Sequence, residues 1–287
     1  MTSAHQELIE PSSWVGRSTT TDDQITAFPL NALAGLLNRE SCPAVAGTPV
    51  PPLWHWVYFL PAYRADELRK DGHFWGGELM PPIPLPRRVW AGSKFTWNAE
   101  NPLRVGDKAT RLSRIDSITP KEGKSGQLVF VKVVHEFRSR AGICLLNEHL
   151  TAFRGPPKQE ASPSPVPPAD AASAWHRELI PDPVLLFRYS ALTFNAHRIH
   201  YDWPYTTREE GYPNLLVQGP LMATLLAELI HTHMPGAILQ SLDFKVMHPS
   251  FVERAMHLRG QPQGNNIRLW ASDDDGRLTM TAAATVA

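Results

Sequence analysis

Hydrophobic positions along the chain predict one helix followed by several strands, and this order occurs twice. In the first half, apolar residues between Asp22 and Leu37 lie on one broad helical face, with Asp22 and Asp23 as an N-terminal cap and Pro29 as a kink. Strands are predicted at 53–59, 108–119, 128–138 and 143–153, with a hairpin turn at 121–126. In the second half, Pro220 to His231 is apolar on nearly every side, which predicts a buried helix. Further strands are predicted at 240–246, 254–260, 267–271 and 278–286.

A proline-rich segment separates the two halves. Residues 156–168 contain six prolines among small polar residues, a composition that excludes a helix or a central strand and favours an extended connection. The sequence therefore predicts an N-terminal domain over 1–155, a linker over 156–170 and a C-terminal domain over 171–287.

Charge and composition exclude several classes of protein. The chain has 287 residues, with 28 Lys and Arg against 28 Asp and Glu, so no global field draws it to nucleic acid or to a membrane surface. The two cysteines, Cys42 and Cys144, are too few for a disulfide scaffold. The N-terminus has no secretory pattern, and no apolar run approaches the roughly 20 residues that span a bilayer. These features predict a soluble, cytoplasmic protein.

Chemistry-bearing side chains concentrate between Asn195 and Asp202. These eight positions hold an amide, two imidazoles, a guanidinium and a carboxylate. About twenty residues later, Gly219 and Pro220 open the predicted apolar helix. Protonatable groups followed by the N-terminus of a buried helix provide an acid/base pair and backbone N–H donors for a developing negative charge, which indicates an enzyme.

This pattern resembles the hydratase motif of the MaoC-like, hot-dog-fold enoyl-CoA hydratases, roughly Ser-Gly-Asp-x-Asn-Pro-Ile-His. Counted back from His200, Ile199 matches and Arg198 stands where the proline would be. The asparagine, aspartate and serine positions are taken by His197, Asn195 and Thr193. The version Asn-x-His-Arg-Ile-His-Tyr-Asp is most similar to the hydroxyacyl-thioester dehydratase type 2 branch, which includes mesaconyl-C4-CoA and itaconyl-CoA hydratases. Similarity to this branch extends to 80–93, 124–131 and 135–136 in the first half.

The resemblance implies a fold and a reaction. The implied fold is α+β, a double hot dog in which two antiparallel sheets each wrap a central helix and the site lies between the halves. An unrelated α+β protein with two strand-rich halves is the alternative. The implied reaction is a hydro-lyase reaction, the addition of water to an enoyl-CoA.

Hydration of an enoyl-thioester requires a base, a donor to the enolate oxygen and an acid. His200 is the predicted acid/base, because an imidazole titrates near the working pH. Gly219 is the predicted donor, through its N–H at a helix N-terminus. Asn195 departs from the family aspartate, since an amide can orient water but cannot act as a base. Either His200 alone moves the proton or another carboxylate helps, of which Asp202 is nearest in sequence.

Arg198 is a candidate cation for a second carboxylate on the substrate, because arginine pairs with carboxylates in a bidentate way. A salt bridge or a CoA phosphate contact is the alternative for this residue. The other predicted substrate-binding residues are His197, Tyr189 and Gln218. The predicted CoA-binding residues are Arg87, Arg88, Arg188 and Lys245. His231, His233 and the pair His197 and His200 lack a carboxylate at metal-site spacing, so no metal is predicted.

Together the residues and the resemblance predict a hydratase of a branched C5 dicarboxyl enoyl-CoA, itaconyl-CoA or mesaconyl-C4-CoA, which yields citramalyl-CoA and belongs to itaconate degradation. The predicted partner is an acyl-CoA substrate, with no cofactor, no nucleic acid and no membrane, and a homodimer follows from the family. Two alternatives stay open. One is a (3R)-hydroxyacyl-thioester dehydratase of fatty-acyl chains, and the other is a non-catalytic acyl-thioester-binding protein.

Overall fold

A computed structural model describes residues 11–39, 43–74, 79–85, 87–123, 126–155, 170 and 172–287. The proline-rich segment lies outside these residues except for Asp170, and so do Cys42 and the turn residues 124–125. The division into two domains at 156–170 therefore stays a prediction.

Within the described residues, ten strands form one antiparallel sheet. The strands are β1 Ser18–Gln24, β2 Arg87–Trp97, β3 Lys108–Gly123, β4 Gly126–Ser139, β5 Gly142–Arg154, β6 Trp175–Leu179, β7 Leu239–Val246, β8 Met256–Gln263, β9 Asn266–Ser272 and β10 Leu278–Val286. Their order across the sheet is β1-β3-β4-β5-β2-β7-β10-β9-β8-β6. The first five strands thus form the N-terminal part of the sheet and the last five the C-terminal part.

The two parts of the sheet meet where β2 pairs with β7. Ser93 lies opposite Phe244, and Gly92 lies opposite Lys245. A Cβ atom on Gly92 would lie 2.3 Å from the Phe244 carbonyl oxygen, so only glycine allows the backbones to approach this closely. The hydrogen bonds between these strands join the halves into one sheet.

The described residues form four α-helices: α1 Ala27–Leu36, α2 Pro183–Leu192, α3 Trp203–Arg208 and α4 Gly219–His233. Every residue of α4 from Leu221 to Ile230 is buried, and the helix packs against β6, β8, β9 and β10. The predicted buried helix of the second half is confirmed. The first-half helix α1 packs mainly against α2 and the 3-10 turn Trp54–Val57, which leaves the inner face of the N-terminal sheet to other residues.

The predicted first-half helix is present as α1, but its predicted cap and the predicted strand at 53–59 are wrong. Asp22 and Asp23 do not cap a helix, because they lie in β1, where residues 18–24 pair with 108–114 of β3. The predicted strand at 53–59 is a 3-10 turn, and the left-handed backbone of Leu53 (φ 68°) and Phe59 (φ 55°) prevents an extended strand there. Both errors come from local patterns that long-range pairing or backbone strain overrides.

The other predicted strands are confirmed, with ends that differ by a few residues. The strands β2 and β6 were not predicted as strands. Among the described residues, no helix has the length and apolar character needed to cross a membrane.

Candidate active site

The residues from Asn195 to Asp202 form a loop between α2 and α3. Asp182 caps the start of α2 by accepting a hydrogen bond from the Leu185 N–H at 2.7 Å. The chain leaves the helix through Phe194, which has left-handed backbone (φ 49°). We call residues 195–202 the motif loop. The left-handed turn at Phe194 directs the motif loop toward the segment that precedes α4.

His200 is buried and oriented by the chain segment before α4. Its Nδ1 lies 2.8 Å from the Leu216 carbonyl oxygen, and since a carbonyl only accepts, Nδ1 carries the proton and Nε2 is the free acceptor. Burial lowers the pKa of His200 to about 4, although the hydrogen bond to Leu216 opposes this shift. The imidazole is therefore neutral at pH 7, in the form that accepts a proton.

Gly219 is the first residue of α4, three residues after Leu216. The N–H groups of the first helical turn have no acceptor within the helix, and the helix dipole favours negative charge there. A Cβ atom on Gly219 would lie 3.4 Å from the Trp90 ring and 3.7 Å from Val246. The start of α4 therefore lies against the Trp90 ring.

Asn195 and His197 make local contacts within the motif loop. The Asn195 Oδ1 accepts the His197 N–H at 3.1 Å, and the ring of His197 meets the ring of His200 edge to face at 5.5 Å between centroids. Burial, with smaller contributions from His73 and His200, lowers the pKa of His197 to about 2. His197 is therefore neutral beside His200.

Arg198 is held by other residues of the protein. Its Nε and Nη2 donate to Asp202 Oδ2 at 2.9 and 2.7 Å, and its Nη1 donates to the Lys70 carbonyl at 2.9 Å. The other oxygen of Asp202 accepts the Tyr205 N–H, which caps α3. These contacts match the predicted alternative of a salt bridge, and they engage the carboxylate of Asp202 as well.

A segment of the first half, residues 71–73, docks on the motif loop. The Arg198 N–H donates to the Asp71 carbonyl at 2.8 Å. A Cβ atom on Gly72 would lie 1.8 Å from the Ala196 carbonyl oxygen, and Gly72 has a φ of +83°. The ring of His73 stacks on His197 at 3.7 Å. Sequence reasoning missed this segment, because nothing in its spacing links it to a motif more than a hundred residues away.

Asp71 brings a carboxylate close to the motif histidines. Its Oδ1 accepts the His73 N–H at 2.9 Å, and its Oδ2 lies 3.7 Å from His73 Nδ1. Burial raises the pKa of Asp71. The hydrogen bonds from His73 and the electrostatic effect of His73 and His197 outweigh burial and bring the pKa to about 2. Asp71 is therefore ionised at pH 7.

The residues described could hold a metal ion at two places. Asp71, His73 and His197 offer ligand atoms within 4.8 Å of one another, and Asp273, Asp274 and Asp275 do so on an exposed hairpin. The first group has the donor set of a two-histidine, one-carboxylate site. Its stacked imidazoles also fit a hydrogen-bonded cluster without an ion.

Tyr189 and Gln218 lie in the core beneath the motif loop. The Gln218 Nε2 donates to the Leu186 carbonyl and to Ser190 Oγ at 2.8 and 2.9 Å, which ties the start of α4 to α2. Tyr189 is 1% exposed, and burial raises the pKa of its hydroxyl. The contacts of Gln218 connect the start of α4 to α2 behind the motif loop. The predicted role of Tyr189 and Gln218 in substrate binding stays a prediction.

The predicted CoA-binding residues are spread over the surface. Arg88 is exposed on β2 and Lys245 is exposed on β7. Arg188 lines a groove of about 190 Å³ between α1 and α2, together with Arg177. The side chain of Arg87 lies outside the described residues. The described side chains of Arg88, Arg188 and Lys245 are not brought together around the motif loop, and the role of all four residues in CoA binding stays a prediction.

Most of the chain matches one protein family and several relatives. The model of the family described as hydroxyacyl-thioester dehydratase type 2 matches residues 53–252. The chain is 42% identical over 270 residues to a mesaconyl-C(4)-CoA hydratase of Chloroflexus aurantiacus, covering 94% of this chain and 95% of that one. It is 24% identical over 277 residues to the mitochondrial hydroxyacyl-thioester dehydratase type 2 of Schizosaccharomyces pombe, covering 86% and 90%.

Solved structures with low sequence identity share the fold. A MaoC-like dehydratase from Phytophthora capsici matches with a TM-score of 0.70 at 14% identity, covering 96% of this chain and 97% of that one. A Mycobacterium tuberculosis protein described as having a double hot-dog fold matches with a TM-score of 0.59 at 12% identity, covering 95% and 96%. The predicted α+β double hot-dog fold is confirmed.

Proposed function

The chain belongs to the hydroxyacyl-thioester dehydratase type 2 family of MaoC-like hot-dog proteins, and on that premise we propose that it hydrates a branched C5 dicarboxyl enoyl-CoA. Its family activity is that of a hydro-lyase acting on enoyl-CoA thioesters. The observation that supports the proposed reaction most directly is the orientation of His200, and the substrate is proposed from the similarity to the Chloroflexus hydratase. The Leu216 carbonyl accepts a hydrogen bond from Nδ1, which leaves Nε2 free to act as the base. Leu216 lies three residues before Gly219, the first residue of α4.

In this proposal, His200 Nε2 takes a proton from water as the water oxygen attacks the β-carbon of the substrate. Asn195 orients that water or the substrate through its amide. The electrons of the double bond move to the thioester oxygen, where the Gly219 N–H and the dipole of α4 stabilise the enolate.

The α-carbon then takes a proton. A histidine with a pKa of about 4 is a strong acid once protonated, so the His200 imidazolium can return its proton to the enolate. This closes the cycle with no net change in the enzyme. The ring of His73 packs against His197, and Asp71 beside His73 places near these histidines the carboxylate that Asn195 does not supply.

Mesaconyl-C4-CoA is the first substrate to test. The Chloroflexus relative is named for it and covers 94% of this chain at 42% identity. Itaconyl-CoA has its double bond one carbon further from the thioester, so its conversion to citramalyl-CoA would include an isomerisation with the same enolate and the same proton shuttle. The fatty-acyl dehydratase and the non-catalytic binder are the alternatives.

A steady-state comparison of mesaconyl-C4-CoA, itaconyl-CoA and crotonyl-CoA tests this substrate. We expect the ultraviolet band of the enoyl-thioester to be lost fastest with mesaconyl-C4-CoA. If crotonyl-CoA gives the highest kcat/KM, the fatty-acyl dehydratase replaces the proposal. If no enoyl-CoA reacts, the protein is a binder.

The same comparison of three substrates with the Arg198→Ala variant tests the predicted contact between Arg198 and the second carboxylate of the substrate. Because Arg198 is engaged with Asp202 and Lys70, we expect its loss to lower kcat/KM for the three substrates by a similar factor, through disorder of the motif loop. A loss confined to the two dicarboxyl substrates would instead assign Arg198 to the second carboxylate.

Gly72→Ala is expected to lower kcat by about tenfold or more, since a catalytic group displaced by about 1 Å can cost about 10²-fold. The added Cβ cannot fit 1.8 Å from the Ala196 carbonyl, so segment 71–73 must move away from the motif loop. The matched control is Gly211→Ala, at a similar φ of +73° with open space around the Cβ. Equal kcat values in the two variants would show that docking of this segment has no role in the reaction.

The compartment and the oligomeric state complete the proposal. We place the protein in the cytoplasm and as a homodimer, on the composition and on the family respectively. The fungal relatives are named as mitochondrial proteins, so fractionation of cells and light scattering of the purified protein are the deciding measurements.

A further inference from the structure

Polar residues cross the inner face of the N-terminal sheet in a band. The band consists of Arg111 and Ser113 on β3, His135 on β4, and Asn147, His149 and Thr151 on β5. Ser113 pairs with His135 and His135 with Asn147 in the sheet register, and the Ser113 Oγ lies 2.7 Å from His135 Nδ1. Apolar side chains lie on both sides, with Phe95, Phe137 and Leu145 in one cluster and Ile115, Val133 and Phe153 in another. We call the six polar residues Arg111, Ser113, His135, Asn147, His149 and Thr151 the polar band.

Several buried atoms of the polar band have no hydrogen-bond partner within the described part of the chain. These are Asn147 Oδ1, Thr151 Oγ1 and Arg111 Nε. His55 Nε2, on the 3-10 turn that covers Phe95 and Phe137, is a fourth. Asn147 is 4% exposed and Thr151 1%. Because an unsatisfied buried polar atom costs about 1–3 kcal/mol, such a group of them points to a polar ligand.

The polar band is positively charged. Arg111 is half-buried, and its Nη2 donates to the neutral Thr21 Oγ1 at 3.2 Å. Arg88, on β2, is near enough for its charge to act on His149. Neither arginine makes an ion pair with a carboxylate of the described residues, whereas Arg198 does. Arg111 is partly buried and Arg88 is exposed. The charges of Asp23 and Asp71 act on them from further away, so a directly bound anion would still have two cations to pair with.

The histidines of the band add hydrogen-bonding capacity without adding charge. Burial lowers the pKa of His149 to about 3, helped by the charge of Arg88, and burial also lowers the pKa of His135. Both are neutral at pH 7, so each offers one N–H donor and one acceptor nitrogen. The positive charge therefore comes from Arg111 within the band and from Arg88 beside it.

Trp90 connects the polar band to Gly219. Its ring stacks on His149 at 5.3 Å with an angle of 10° between the planes. The same ring lies 3.4 Å from the position of a Cβ on Gly219. A thioester whose oxygen accepts the Gly219 N–H therefore lies beside the indole that stacks on His149 of the polar band.

We propose that the polar band is the subsite for the acyl group and binds a second carboxylate of the substrate, with Arg111 and Arg88 as its cations. This proposal rests on the proposed function, since it names how that site selects a dicarboxyl acyl group. It also gives a reason against a fatty-acyl substrate, because an alkyl chain would leave the unpartnered atoms of Asn147 and Thr151 unsatisfied.

The test compares binding of succinyl-CoA and butyryl-CoA by calorimetry. Both acyl groups are saturated and four carbons long, and they differ in a terminal carboxylate against a methyl group. We expect the wild-type protein to bind succinyl-CoA at least about tenfold more tightly, because a hydrogen bond to a charged group contributes about 1.5–3 kcal/mol. Arg111→Gln and Arg88→Gln are each expected to bring this ratio close to one, with butyryl-CoA affinity retained.

Arg114→Gln is the matched control, since Arg114 is exposed on the same strand β3 and points away from the band. It is expected to keep the wild-type ratio. If Arg111→Gln does not fold, Asn147→Leu replaces it and is expected to shift the preference toward butyryl-CoA. Equal binding of the two ligands by the wild type, or an unchanged ratio in the arginine variants, overturns the proposal.

Failure of this subsite and failure of the proposed function give different results. If the protein binds succinyl-CoA more tightly than butyryl-CoA but does not hydrate mesaconyl-C4-CoA, the proposed reaction is rejected and the subsite is kept. Hydration of mesaconyl-C4-CoA, with equal binding of the two saturated ligands, keeps the reaction and rejects the subsite.

Discussion

His200→Ala is expected to lower kcat for hydration by about 10²–10⁴-fold, the usual contribution of one general acid/base group. The wild-type imidazole is neutral and its Nε2 is free to accept a proton from water, because Leu216 holds the proton on Nδ1. Alanine removes that base and leaves the Gly219 N–H in place. Substrate binding, read from KM or from a saturated CoA ligand, is expected to change far less than kcat.

The matched control for this variant is His231→Ala, an exposed histidine near the end of α4. It is expected to keep the wild-type kcat. A further check is the pH dependence of kcat/KM over the range in which the protein stays folded, where it should show no acid limb, because His200 stays neutral until the pH approaches about 4. A near-normal His200→Ala variant would refute the assignment of the base.

Lowering the pH from 7 to 5 is expected to remove most of the stability of the fold. Burial lowers the pKa of His55 and His149 to about 3 and of His200 to about 4, and lowers that of His135 as well. In the unfolded chain a histidine has a pKa of about 6.5. Below that pH the unfolded state binds more protons than the folded state, so stability is complete above pH 6.5 and is lost as the pH falls toward the folded values.

The size of the loss follows from the number of histidines. Each contributes about 1.4 kcal/mol per pH unit, so these four and His197, whose pKa burial also lowers, together contribute about 7 kcal/mol per unit, against a typical total stability of about 5–15 kcal/mol. Urea unfolding followed by tryptophan fluorescence at pH 8, 7, 6 and 5 measures the slope. His149→Gln should reduce the slope by about 1.4 kcal/mol per unit, and His231→Gln should leave it unchanged. A free energy of unfolding that is flat between pH 7 and 5 would contradict the burial of neutral histidines.

Sequence patterns predicted the elements whose signal is local. Helix α4 was readable because Leu221 to Ile230 is apolar on nearly all sides, and Gly219 with Pro220 marks its start. The motif loop was readable because His200 and Asn195 lie a few residues apart. Asp22 and Asp23 misled the prediction, because aspartate before an apolar run is typical of a helix cap, while the pairing partner that makes them a strand begins at Lys108.

The parts of the site that sequence reasoning missed are assembled from distant residues. Gly72 is recognisable only once the Ala196 carbonyl is seen against it. The polar band takes its members from three strands, and Arg111 and His149 share a face only when the register of β3, β4 and β5 is known. The predicted contact of Arg198 with a substrate carboxylate came from its position in the motif. That position does not determine the direction of the side chain, which points to Asp202 and Lys70.

The pairing of β2 with β7 has a consequence for how a substrate is recognised. Backbone hydrogen bonds across these strands, with Gly92 against Phe244, fix Trp90 relative to the start of α4. The N-terminal and C-terminal parts of the sheet therefore cannot open and close on each other as hinged lobes without breaking that ladder. Binding then carries no cost of lobe closure, and the two parts of the sheet are already in their relative positions before an acyl group binds.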